Sequence, residues 1–210
     1  KRVFSRGRHA SGPASFEVQH PDGLTWRYGD DADSRLEAVG TAGEVREWAI
    51  NQVSDKFSNH IAYTWVDDQV TGESLPGEIR WTGDASGAGA RFRIVFGYEA
   101  RPAEDQGQLH RWGATWQRLQ RLQSIRYEFD GGSGFGLVHR YTLTYTTGNG
   151  TGSGRSQLAS IEQCGPTECL PPTIFGWQTG VTGFGSAVAG PTDPLAGDAV
   201  FADHDGDGDA

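Results

Sequence analysis

Methionine is absent from all 210 residues, and cysteine occurs only at Cys164 and Cys169. No apolar stretch approaches the ~20 residues of a membrane helix, which argues against a helical membrane span. Two thiols are too few for a structural zinc site. The start, KRVFSRGRH, has neither an initiator Met nor an apolar segment after its charges, so no signal peptide is legible. The chain therefore reads as an excised or processed segment whose localisation signals lie outside it. Catalytic signatures are missing too: no HExxH, no Walker A loop, no GxSxG and no complete GxGxxG. The histidines, His9, His20, His60, His110, His139 and His204, are scattered, with no two within four residues of each other, so no local metal pair exists. With 27 acidic residues, no particular pair stands out for glycoside hydrolysis. The expectation is a protein that is not an enzyme.

Positive charge is also scarce. A net charge of −9 and a pI of about 5.1 leave no basic face for phosphates, which excludes nucleic acid as a partner. The exception is a basic N-terminal arm, residues 1–15, carrying Lys1, Arg2, Arg6 and Arg8. Its terminal position makes a disordered end the simplest expectation.

What the chain has in plenty is glycine and large aromatics. Its 31 glycines are about double the usual ~7 %, which disfavours a helical bundle and favours many turns. Seven Trp stand out in a sequence with few Leu and Ile. Each buried ring removes about 150–250 Å² from water, at most about 4–6 kcal/mol, so aromatics can supply the core.

Period-2 alternation dominates, the pattern of half-buried strands. FEVQH puts Phe16, Val18 and His20 on one face, and LTWRY does the same for Leu24, Trp26 and Tyr28. PDG (Pro21, Asp22, Gly23) between them has turn chemistry, so residues 16–28 form a β-hairpin. The segments IAYTW, RFRIVFGY, SIRYEF and RYTLTY repeat the pattern, with aromatic and aliphatic residues on one face and Arg, Glu and Thr on the other. The fold class is all-β: a large twisted antiparallel sheet or sandwich, aromatic side packed and charged side wet. In RWGATWQRLQRLQSI, Trp112, Trp116, Leu119 and Leu122 also fit helical spacing, so a short helix competes with strand there.

A loose repeat runs through the chain. LPGEIRW leads to RIVFGY, RLQSIRY to RYTLTY, and QLASIEQ to TIFGWQ, with WAINQVSDKFSNHIAYTW as an earlier copy. A hairpin cannot bury its own apolar face, so tandem hairpins must pair side by side into one sheet. Residues 181–200, rich in Gly, Ala and Pro, read as a linker or an extended wrap.

Two local features invite chemistry. CGPTEC can close a disulfide between Cys164 and Cys169, which the chain-entropy relation values at roughly 2 kcal/mol; in a reducing compartment the alternative is two small buried thiols. FADHDGDGDA matches the first half of a calcium loop of the form D-x-D-G-D-G-x-x-D. Asp203, Asp205 and Asp207 would supply carboxylates and Asp209 a backbone carbonyl. The ninth position would be residue 211, so the site is partial, and a solvated acidic tail is the alternative.

VSDKFSNHIAYTW, RFRIVFGYEAR, RLQSIRY followed by YTLTY, and above all CGPTECLPPTIFGWQ resemble the N-terminal SpvB-type domain. That domain opens the B component of toxin complexes and many Rhs (YD-repeat) polymorphic toxins. The resemblance runs from about residue 16 to the end. It implies a β domain over 16–180 and, at 201–210, the truncated start of an FG-GAP/VCBS-type calcium repeat. It further implies a secreted, non-catalytic scaffold that helps build a β-shell around a toxic payload. The partners it implies are other domains of the same polypeptide or toxin-complex subunits. A carbohydrate-binding β-sandwich is the competing reading: Trp81, Trp112 and Trp116 border loops and are candidates for an exposed aromatic platform. Trp26, Trp48, Trp65 and Trp177 belong to the repeating apolar faces and are expected in the core.

Overall fold

A computed structural model describes residues 1–41, 43–84, 89–111, 113–146 and 155–177. In chain order the strands are β1 (Arg2–Arg6), β2 (Ser15–Gln19), β3 (Thr25–Tyr28), β4 (Arg35–Glu37), β5 (Val45–Trp48), β6 (Ile50–Ser54), β7 (His60–Asp68) and β8 (Glu73–Gly83). They continue with β9 (Phe92–Ala100), β10 (Gly107–Arg111), β11 (Ala114–Arg118), β12 (Gln120–Asp130), β13 (Phe135–Thr146), β14 (Gln157–Cys164) and β15 (Thr173–Ile174).

Eleven of these strands form one antiparallel sheet in the order β1-β2-β3-β6-β7-β8-β9-β12-β13-β14-β15. The order is almost the chain order, as tandem hairpins require. Only the hairpins β4–β5 and β10–β11 are set aside as small sheets of their own. Each sequence repeat is one hairpin: Ile79 lies opposite Ile94, Ile125 opposite Tyr141, Ile161 opposite Thr173 and Val53 opposite Ile61. The PDG turn forms as expected. Gly23 takes φ +87°, its N–H donates to the His20 carbonyl, and the Leu24 N–H donates to Asp22 Oδ1.

Three expectations need correction. The N-terminal arm is not a loose end, because β1 pairs with β2 along its whole length; its alternating Arg2, Phe4 and Arg6 put charge on the sheet edge. The helical spacing at 111–125 is overruled. Gly113 takes φ +79° in a turn, Leu109 lies opposite Trp116, and Leu122 opposite Tyr98, so cross-strand pairing decides the local structure. The aromatic face is not buried. Across the described residues only Val18, Leu36, Ala49 and Cys164 are buried apolar residues, while the strand aromatics are mostly half-buried. Among the described residues the main sheet is a single wide layer with only two small hairpins beside it, and a layer without a partner leaves one face short of cover.

The far edge is closed by chemistry the sequence anticipates. Cys164 ends β14, and after a four-residue turn Cys169 is disulfide-bonded to it. The chain then runs back along β14 as a strap. Leu170 N–H donates to Gln163 O, Phe175 N–H to Ala159 O, and Trp177 Nε1 to Leu158 O.

Candidate interaction surface

In an antiparallel ladder directly opposed residues share a face. One register row reads Val3, Val18, Trp26, Val53, Ile61, Trp81, Phe92 and Phe129, crossing from β1 to β12. The next row reads Tyr63, Ile79, Ile94, Tyr127 and His139. A third places Phe96, Ile125 and Tyr141 side by side. The apolar face is thus continuous over most of the sheet's width.

Its centre is aromatic. The rings of Trp81, Phe92 and Tyr127 lie within 12° of parallel, with centroids 5.7 to 6.2 Å apart. His139 adjoins Tyr127 at 5.0 Å and Tyr141 at 5.5 Å. Between Trp81, Ile94, Ile125, Tyr127, His139 and Tyr141 lies an open depression of about 370 Å³. Its lining is four carbon-rich rings and two isoleucines, with the His139 imidazole and the two tyrosine hydroxyls as its polar groups, so most of what it offers is apolar contact area. Its chemistry suits an apolar surface laid upon it.

The opposite face is self-satisfied. Arg93 bridges Glu78 at 3.1 Å and Glu128 at 2.6 Å, and Arg121 reaches Glu99 at 2.6 Å. Arg93 also lies over the Phe135 ring at 4.1 Å. Each of these guanidinium groups already has an acid or a ring, as on a finished wet surface.

The β4–β5 hairpin packs against β2 of the main sheet and against the other small hairpin, with Arg46 donating to Gly72 O at the β7–β8 turn. Trp48 sits edge-on to Phe16 at 4.9 Å, and Arg46 covers the Trp116 ring at 4.6 Å. Carboxylates here act as backbone acceptors. Glu73 Oε1 takes the N–H groups of Leu119 and Gln120 at 2.8 and 3.0 Å, and Asp33 Oδ2 takes that of Trp65 at 2.8 Å. Burial, with Glu73's charge adding, pushes the Tyr98 hydroxyl up to about 12, and it donates to Pro76 O.

Asp105 is the pH-sensitive member. Burial favours its neutral form, but hydrogen bonds from Ser156 and Arg101 and the charge of Arg101 outweigh that and hold the carboxyl below its ordinary value. A depressed folded-state pKa stabilises fully above the unfolded value of about 3.9 and is lost as pH falls through the folded value. Asp105→Asn, which keeps one acceptor oxygen, is therefore expected to cost about 2 kcal/mol at neutral pH and to flatten the acid limb of a urea-midpoint-versus-pH curve. An unchanged acid limb would show that this pair does not contribute.

The three tryptophans expected as a platform are placed as follows. Trp81 belongs to the aromatic centre, Trp116 lies under Arg46, and Trp112 is outside the described residues. Trp26, Trp48 and Trp65 are half-buried, but Trp177, expected in the core, is 53 % exposed on the strap. Asp203, Asp205, Asp207 and Asp209, and the linker at 181–200, also lie outside the described residues. Phe92, Tyr127 and His139 were not singled out as a surface in the sequence. Their signal was present in the alternation of three consecutive paired strands, but His139 reads as isolated until the register sets it beside Tyr127.

No known protein family matches the chain, and no curated protein matches it either. Solved structures do. A TcdB2–TccC3 structure aligns with TM-score 0.66 at 14 % identity, over 84 % of this chain and 11 % of that one. The N-terminal domain of effector protein SpvB from Salmonella typhimurium strain LT2 aligns with TM-score 0.60 at 16 % identity, over 74 % of this chain and 62 % of that one. A Photorhabdus luminescens Tc holotoxin pore structure gives TM-score 0.62 at 15 % identity, over 78 % of this chain and 10 % of that one. This chain therefore spans about a tenth of the toxin-complex chains and under two thirds of the SpvB domain structure. At these identities the shared property is the fold: the sheet described above has the architecture of the SpvB N-terminal domain and of a segment of toxin-complex chains.

Proposed function

We propose that this chain is a non-catalytic structural module of a secreted toxin-like protein, one panel of a β-shell that houses or delivers a toxic payload. The observation that carries the reading is the sheet's continuous apolar face, which among the described residues only the β4–β5 hairpin partly covers, while the opposite face is finished with charge pairs. Such a face is stable in water only at a cost, and contiguous apolar patches of this kind mark contact sites. The partners that fit it are other domains of the same polypeptide or subunits of a toxin complex. The fold likeness to toxin-complex components supports that choice. On this reading the aspartates Asp203, Asp205, Asp207 and Asp209 open a calcium repeat that further chain would complete. The sugar-binding alternative needs two exposed coplanar Trp, and among the described residues Trp177, about half exposed, is the most exposed Trp, the others being more deeply buried.

Hydroxyl-radical footprinting of this chain alone, and of the same chain joined to its neighbouring domains, tests the proposal. Trp81, Phe92, Tyr127 and Tyr141 are expected to oxidise several-fold more slowly in the joined form, while Phe57, exposed on the β6–β7 turn at the sheet's end, keeps its rate. Equal rates at all five positions would overturn the reading. Protection of the aromatic centre by an oligosaccharide instead would establish the carbohydrate-binding alternative.

A further inference from the structure

Glu162, Cys164 and Cys169 bring three ligand atoms within 4.8 Å of one another, the one such group of His, Cys, Asp and Glu side chains among the described residues. Glu162 and Cys164 are two residues apart on β14 and so share a face, with Glu162 Oε2 3.6 Å from Cys164 Sγ. As a disulfide the sulfurs cannot ligate. The turn that presents them does not depend on that bond alone, however. Gly165 N–H donates to Glu168 O at 2.7 Å, Leu170 N–H donates to Gln163 O at 2.8 Å, and Cys164 and Cys169 form a β-bridge. The two Cα atoms lie 3.9 Å apart in the bonded form, and these backbone contacts do not involve the sulfurs that reduction would separate.

We propose that the reduced form of this turn is a binding site for a thiophilic divalent cation of the zinc class, held by Cys164, Cys169 and Glu162. The spacing of CGPTEC fits a cysteine knuckle, in which two cysteines a few residues apart ligate one ion. Glu162 supplies the third ligand that the two thiols lack, and water takes the fourth position, as in open tetrahedral sites. With metal–sulfur bonds of about 2.3 Å the two sulfurs must part to about 3.8 Å, a rotation about side-chain bonds with the backbone kept. Charge also balances. Two thiolates and a carboxylate carry −3, the cation brings +2, and Arg140 lies directly across from Cys164 on β13 to meet the remaining −1. Thiolate ligands select a soft or borderline ion, and calcium, which takes oxygen ligands, is disfavoured.

The switch is chemically complete. A dithiol gives up two electrons and two protons, closes its own disulfide and leaves two protein thiols. The cation then displaces both thiol protons to solvent. Cys169 is exposed and open to the reductant, while Cys164 is buried. The same turn is therefore a covalent staple under oxidising conditions and a metal site under reducing ones.

Titration of the whole chain with Co²⁺ and Cd²⁺, in excess calcium to fill oxygen-only sites such as the terminal aspartates, tests this. The protein is compared oxidised and after reduction with a phosphine, which takes its oxygen from water and does not compete for the metal. Reduced protein is expected to bind one ion per chain with a thiolate-to-metal charge-transfer band, and oxidised protein none. Glu162→Gln should weaken binding at least about tenfold, and Cys169→Ser should remove the band. Zinc should displace cobalt and protect both thiols from alkylation. Absence of the band in reduced protein, or unchanged affinity in Glu162→Gln, would overturn the site. Loss of the near-UV circular dichroism signal on reduction would overturn it as well, because the ligand set is a product of the folded turn.

Discussion

Glu73→Ala is expected to destabilise the chain by about 3 kcal/mol, seen as a lower urea midpoint with an unchanged slope. Glu73 is 8 % exposed, and its Oε1 is the acceptor for the backbone N–H groups of Leu119 and Gln120. Those two residues carry the chain from β11 into β12, so one carboxylate ties the start of β8 to the hairpin that interrupts the main meander. Truncation leaves two N–H donors without a partner at a partly closed junction, and each such loss costs about 1–3 kcal/mol. Glu73→Gln keeps an acceptor oxygen and gives up only the charge assistance, so about 1 kcal/mol is expected. The ratio between the two variants is the test. If both cost the same, the negative charge matters and the backbone acceptor role does not. If neither costs anything, the β10–β11 hairpin is not anchored through Glu73.

The strands were legible because their signal is local and redundant. In RFRIVFGY and SIRYEF the alternation alone puts Phe92, Ile94, Phe96, Ile125, Tyr127 and Phe129 on one face, and the register agrees residue by residue. The 111–125 segment was less legible because two periodicities fit it, and what separates them is the partner strand. Leu109 opposite Trp116 is a cross-strand pair across the Gly113 turn, which periodicity along one segment does not score. The arm at residues 1–15 misled for a related reason: charge at Arg2 and Arg6 reads as a solvated end, but alternating charge is also how an edge strand is kept from pairing further.

The surface was the least legible part. Period-2 patterning says which residues share a face; it does not say whether a second layer exists to cover it. Trp81 was picked out for bordering a loop, and its partners Phe92 and Tyr127 were assigned to the core on the same pattern that makes them a surface. The same limit applies to Glu162, which reads as an ordinary strand carboxylate. Only the return of the chain through residues 165–168 sets it beside both sulfurs. The cysteine pair, by contrast, was readable from spacing, because a turn that short leaves few places for the second sulfur to go.

Gly29→Ala is expected to cost about 3–4 kcal/mol, the sum of two separable effects. Gly29 is buried and takes φ +69°, a left-handed conformation that an L residue adopts at about 1–2 kcal/mol. An added Cβ would also run into Cδ1 of Trp48 and come within 3.2 Å of Ala14 O. Trp48 cannot simply move aside. Its ring packs edge-on against Phe16, and its Nε1 donates to Pro13 O at 3.2 Å. The glycine is fixed as well, since its N–H donates to Ala49 O and its carbonyl accepts from Arg35. Overpacking of this kind adds about 1–3 kcal/mol. A double-mutant cycle with Trp48→Ala separates the terms. In the Trp48→Ala background the indole clash is gone and only the left-handed backbone and the close approach to Ala14 O remain, so Gly29→Ala should cost about 1–2 kcal/mol, giving a coupling of about 1–3 kcal/mol. Equal costs in both backgrounds would place the whole penalty in the backbone and show that β5 has room to shift. A cost near zero in the Trp48→Ala background would show that position 29 does not need the left-handed conformation once the indole is removed. Urea midpoints for the four proteins, with near-UV circular dichroism to report the tryptophan environment, distinguish these outcomes.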